Sequence, residues 1–220
     1  MAISWQQMQT ALRTKLLTLE VCTTGSVSLS ATATGYARTT GSFITDGFTP
    51  GMEVTGTGFS ATANNTARTL TGVTALTLTC SGTVAETAGT RTLKVVLPGD
   101  RAWENVEFTP TAGRPFIVEQ LVPGSTTQFT AGANGWMEAQ VLYSVQVHVP
   151  QKVGIGAANG YADALATLFS PRTTMTLTNG DTLRVRADTG PYRGQLISRD
   201  PGWATVPITV PLRLYTTNPA

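Results

Sequence analysis

The stretch Met137-Glu138-Ala139-Gln140-Val141-Leu142-Tyr143-Ser144-Val145-Gln146-Val147-His148-Val149 decides how the chain is read. Apolar side chains recur at every second position, with Glu138, Gln140, Ser144, Gln146 and His148 between them and Leu142 as the one exception. A period of two is that of a half-buried β-strand. Thirteen residues at about 3.3 Å each extend roughly 43 Å, far beyond an ordinary strand. Such a strand is long enough to project past its own domain.

The segments on either side extend the pattern. Phe116 to Val122 is a second strand, closed by Pro123-Gly124. After the long strand, Gly154-Ile155-Gly156 opens a helix with Tyr161, Leu165 and Leu168 on one side, ended by Ser170-Pro171. Thr174 to Thr178 and Thr182 to Asp188 flank Asn179-Gly180, the strongest short hairpin signal. Ala204 to Tyr215 alternates again, but carries Pro207 and Pro211. Residues four apart aim their N–H groups to the same side, and proline has none, so an edge is expected there.

At the N-terminus, Ser4 is a plausible N-cap. Trp5, Met8, Leu12, Leu16 and Leu19 make one apolar stripe, predicting a helix from near Ser4 to near Glu20. From Val21 to Leu97 the composition shifts to threonine, glycine and serine with few charges. Short β-like runs alternate with turns there, and threonine suits a half-exposed pleated surface. The expected class is therefore α+β: a mixed, mainly antiparallel sheet packed by two helices over residues 1–20 and 98–220. An all-β domain, a small barrel or sandwich, is inserted at 21–97.

Composition narrows function mainly by exclusion. Charged residues are 13% of the 220, against a usual share of about 25%. The net charge of +2 gives no strong field for nucleic acid or an acidic membrane. No basic-then-apolar leader is visible at the start, and no run approaches a spanning helix. Two cysteines and one histidine exclude a disulfide scaffold and the usual zinc sites. Cys22 and Cys80 read as two small buried hydrophobes, with a bridge between them as the alternative.

Catalytic groups are scarce. His148 lies on the polar side of its strand and reads as an exposed strand residue rather than a base. Glu104, Glu107, Glu119 and Glu138 read as solvated surface rather than an acid/base pair. Gly154-Ile155-Gly156 lacks the later glycine of a dinucleotide loop and reads as a plain strand-to-helix turn. No Gly-x-Ser-x-Gly elbow occurs. Arg184, Arg186 and Arg193, with Arg199 beyond, form the one basic cluster, either a solvated face or a polar face for a partner. No catalytic, cofactor or metal residue is assigned.

A family resemblance adds what composition cannot. Residues 98–215, together with the 4–20 helix, resemble tail terminator proteins of long-tailed, non-contractile bacteriophages. The stretches that carry it are Arg101-Ala102-Trp103-Glu104-Asn105-Val106-Glu107-Phe108, Gly113-Arg114-Pro115-Phe116 and Tyr143 to Pro150. Ala162 to Phe169, Gly202-Trp203 and Val206 to Arg213 continue it in the same order. Residues 21–97 depart from the family pattern, and their Gly41 to Phe48 and Gly51 to Val54 are similar to small β modules of phage tail proteins.

The resemblance implies a non-enzymatic virion protein without cofactor, assembled in the host cytoplasm. It would form a hexameric ring at the head-proximal end of the tail tube, stop tube growth, and dock the head-completion or neck protein. DNA would pass through the lumen without specific binding, and no membrane is involved. Tyr143, Val145, Val147, Pro207, Pro211 and Arg213 are the expected subunit contacts. Another neck or tail-completion protein of similar fold is the alternative. A further alternative is a surface-binding module that uses Tyr36, Phe43, Phe48 and Phe59, which core packing explains better.

Overall fold

The computed structural model describes residues 4–104, 106–130, 135–197 and 202–217. Helix α1 (Trp5–Leu16) is capped by Ser4, whose hydroxyl accepts the Gln7 N–H at 3.4 Å. Met8, Leu12 and Leu16 are buried on its inner side. The helix stops a turn before the expected end, and Leu19 is buried from the loop that follows.

The first sheet uses β1 (Glu20–Thr23), β2 (Val27–Thr32), β3 (Gly35–Ala37), β4 (Glu53–Thr57), β5 (Arg68–Thr69), β6 (Gly72–Val73), β7 (Thr77–Thr79) and β8 (Glu86–Val96). Its order is β5-β4-β8-β2-β3-β7-β6. The eleven-residue β8 is the spine. β1 and β2 run end to end along one edge of it, and β4 pairs with the other. Phe43, Phe48, Val54, Leu70, Leu93 and Val95 fill the interior. Tyr36, Phe43, Phe48 and Phe59 are buried there, so none of them offers a ring to a ligand. Cys22 and Cys80 are free thiols, pushed up by burial to about 12 and about 11.

The second sheet uses β9 (Asp100–Ala102), β10 (Phe116–Gln128), β11 (Trp136–Pro150), β12 (Thr174–Thr176), β13 (Thr182–Val185), β14 (Tyr192–Arg193) and β15 (Trp203–Thr217). Its order is β12-β13-β15-β11-β10-β9, with β14 also on β15. Among the described residues, only β9 and β10 run parallel. β11 and β15 stay in unbroken register from Trp136 opposite Thr217 to Pro150 opposite Trp203. The proline side of β15 carries a split ladder: β13 pairs at 212–215 and β14 at 208–209. Arg186 and Gly194 donate to the Pro211 and Pro207 carbonyls at 2.9 and 2.8 Å, so the prolines interrupt pairing on that side without making a bare edge.

Helix α2 (Gly156–Leu168) lies on β11 and β15 through Tyr161, Ala162 and Leu165. The expected α+β class, a sheet packed by two helices, is corrected: the protein is mostly β, with 45% of the described residues in strands and 14% in helix. Length supplies the reason. A 13-residue helix covers about 20 Å, while 15-residue strands run to about 50 Å, so two short helices do not form a layer over them.

The two sheets meet at a built seam. Buried Glu53 on β4 accepts the Gly99 N–H at 2.9 Å and the Arg114 Nε and Nη2 at 2.9 and 2.6 Å. Its own N–H donates to the Tyr161 hydroxyl at 3.2 Å. Gly156 and Gly160, one turn apart on α2, face Thr49 and Met52, and a Cβ at Gly160 would run into the Met52 methyl. The first sheet is therefore seated on α2 rather than tethered beside it.

Candidate assembly interface

Strand alternation gives the second sheet two unlike faces. On the inner face, Ile117, Leu121, Val141, Val206, Val210 and Leu212 are buried under α2 and the loops. Tyr143, Val145 and Val147, three of the expected subunit contacts, share this inner face and are fully buried within the protomer. The other three, Pro207, Pro211 and Arg213, stand on the outer face.

On that outer face, Val122, Leu142 and Pro211 are directly opposite one another across three strands. Leu142 is 41% exposed and Val122 37%. Gln120, Ser144 and Thr209 form the next row, extended by exposed Tyr192 on β14. Where β10 ends and β11 begins, the Phe129 N–H donates to the Trp136 carbonyl at 2.8 Å, and both side chains are more than half exposed. Val122, Leu142, Tyr192, Phe129 and Trp136 are exposed, whereas Pro211 between them is buried. Leu142 had a sequence signal: it is the single break in the alternation, an apolar residue on the polar side.

Of the side chains expected in solvent, Glu104 and Glu107 are exposed, but Glu119, Glu138 and His148 are not. Glu119 lies on the inner face and is buried. It forms an ion pair with Arg13 from α1, and its Oε2 accepts the Tyr143 hydroxyl at 2.9 Å. Arg13 also covers the Trp103 ring at 4.8 Å. Burial, then the neighbouring carboxylate, holds the Tyr143 phenol well above its ordinary value. Glu138 is buried on the outer face beside Arg213 Nη1 at 3.4 Å. His148 is also buried, stacked on Phe116 at 4.2 Å, with Nδ1 2.8 Å from the Thr205 hydroxyl. Glu119, Glu138 and His148 correct the solvated reading. A strand's polar face is wet only where nothing packs on it, and Trp103, Phe108, Trp203 and α1 cannot be assigned to a face by local periodicity. Phe108, Phe116, His148 and Trp203 are one contiguous aromatic cluster, with centroid spacings of 4.2 to 5.4 Å. Glu119, Glu138 and His148 are held by packing, ion pairs and hydrogen bonds and act as structural staples.

The basic residues separate. Arg184 and Arg186 flank a groove of about 350 Å³ that also includes Asp188, Arg213 and Tyr215. Arg186 holds Asp188 at 2.6 and 3.1 Å, and that hydrogen-bonded pairing lowers the Asp188 carboxyl to about 2. Arg193 pairs with Ile208 on β14, exposed on the other side of the sheet from Arg184 and Arg213. Arg199 lies outside the described residues. Among the described residues, no group of three or more metal-ligating side chains occurs and no helix is long and apolar enough to cross a membrane.

Comparison with known proteins adds three findings. A family model described as phage tail terminator protein matches residues 87–212, from β8 through β15. No curated protein matches the chain. One solved protein structure is similar at 28% identity, over 54% of this chain and 79% of its own, with a TM-score of 0.43.

Proposed function

Because this chain belongs to the phage tail terminator protein family, we propose that its structural role in the phage tail is that of one sector of a closed ring. The ring sits at the head-proximal end of a non-contractile tail tube. One end of it meets the last tube ring and halts polymerisation; the other receives the head-completion or neck protein. Six copies make the ring, and residues 21–97 form an accessory β domain on each.

The observation that carries this reading is the partly exposed outer face of the second sheet. Three long paired strands make a wall, one side buried and the other exposing Val122 and Leu142, with Tyr192 on β14 beside them. Exposed apolar groups gathered on one face mark a protein contact. Head-to-tail contacts of a single chain close into a ring when the rotation per subunit closes. Half-buried Pro207 and Arg213 contribute to that contact, while Pro211, Tyr143, Val145 and Val147, all buried, support it from within the protomer. The groups that resemble acid/base machinery are consumed by packing, in keeping with a structural role.

Two measurements test the proposal. Light scattering on the purified chain is expected to give a discrete multiple of the 23.2 kDa subunit. Loss of the gene is expected to give overlong tails. A chain that stays single at high concentration and in the presence of tail tubes would overturn it. Tails of normal length that fail to join heads would favour a different neck component.

A further inference from the structure

Arg184 and Arg213 lie directly opposite each other where β13 pairs with β15, on the outer face of the second sheet. Like charges in that position repel and weaken the strand pair. The neighbouring acids only partly relieve this. Glu138 and Asp188 both lie near Arg213, at 3.4 and 3.6 Å, and Asp188 is already held by Arg186. Arg184 has no carboxylate within ion-pair distance among the described residues. Arg213 Nε is buried without a hydrogen-bond acceptor. The groove thus gathers three guanidinium groups against two carboxylates and keeps one positive charge in excess.

We infer that this groove receives a carboxylate side chain from an adjacent copy of the same chain. The inference rests on the ring reading and specifies part of its contact. Three observations favour that occupant. Arg213 stands two residues from buried Pro211, which lies opposite exposed Leu142, so a partner seated on Leu142 and Val122 reaches the groove. The chain itself exposes the complementary charge: Glu107 and Asp163 are exposed, with no cation within ion-pair distance among the described residues. A planar guanidinium presents paired donors that match a carboxylate. One excess charge beside two acids is a poor match for a polyanion, whose binding depends on many cations acting together.

The test compares the full-length wild type with Arg184→Glu and Arg184→Lys by light scattering over a concentration series, at low and high salt. Circular dichroism checks that each variant is folded. Arg184→Glu is expected to raise the concentration needed for assembly at least tenfold. Arg184→Lys should stay within a few fold of the wild type, and high salt should weaken the wild type while barely changing Arg184→Glu. Assembly of Arg184→Glu at the wild-type concentration would overturn the carboxylate groove and leave the ring intact. A wild-type chain that never assembles would overturn the ring reading and this inference with it. Binding of a fluorescent DNA duplex that disappears in Arg184→Glu would identify a phosphate site and overturn the inference as well.

Discussion

The two sheets stabilise themselves by different means. The first is made of strands mostly two to six residues long, ordered by polar clusters within it. Glu86 accepts N–H groups of Ser60 and Ala61, bonds the Asn64 amide and pairs with Arg91, which lies 4.5 Å over Phe59. Arg38 pairs with Asp46 in the same way and lies over Phe43. The second sheet relies on strands of 13 to 15 residues, with β11 and β15 in unbroken register and β10 shifted once between Pro123 and Thr126, and leaves part of one face exposed. Short strands bury too little each to fix their order, so directional polar contacts supply it. Long strands gain enough from register and one buried face to leave the other face available.

The sharpest way to break that contrast is to remove a buried charge of the second sheet. Glu119→Ala strips a buried carboxylate from Arg13 and leaves the Tyr143 hydroxyl without a partner. A loss of about 3 kcal/mol is expected in denaturant unfolding. Glu119→Gln, which keeps an acceptor for Tyr143, should lose less.

The seam comes next. Glu53→Ala abandons the Gly99 N–H and the Arg114 fork, with an expected cost of about 2 kcal/mol. Because Glu53 joins the sheets, calorimetry should show one transition in the wild type and a broadened or split one in the variant. A single sharp transition in both would mean that the glycine seat on α2 suffices for coupling.

Acid should then act on the first sheet selectively. The Glu86 carboxyl is lowered from 4.5 to about 2, chiefly by the Ser60 N–H, with further help from Ala61, Asn64 and Arg91. A lowered folded value contributes stability that is fully present above the unfolded value and is lost as pH falls through the folded one. Hydrogen exchange in β2, β4 and β8 should therefore rise between about pH 4.5 and pH 2, ahead of that in β11 and β15. Equal protection loss in both sheets would remove the distinction drawn here. The smallest effect on folding is expected from Leu142→Glu, within about 0.5 kcal/mol for the isolated chain. Its effect on assembled mass should be large, and unchanged assembly would remove the outer face from the contact.

What the sequence disclosed follows the range of each signal. Period-two alternation located β11 and β15 closely because each strand's faces are set locally. The Ser4 cap, the Asn179-Gly180 turn and the start of α2 are likewise local. The class was misjudged because apolar stripes announce helices without saying how much of a sheet they cover. Glu119, Glu138 and His148 were misread because their burial comes from distant partners: Arg13 for the first, Arg213 for the second, Phe116 for the third. Leu142 was legible as an anomaly, but its meaning depended on seeing Val122 and Pro211 beside it. The seam at Glu53 left no local mark, since its partners lie 46 to 108 residues away.

The pair of side-chain-free positions on α2 has a mechanical corollary. With Met52 and Thr49 resting against Gly160 and Gly156, no compliant layer separates the threonine-rich sheet from the helix. A sideways push on that sheet is transmitted through the helix to the two longest strands instead of being absorbed by a hinge. A tug at the periphery of the molecule is thus felt in the sheet that exposes Val122 and Leu142.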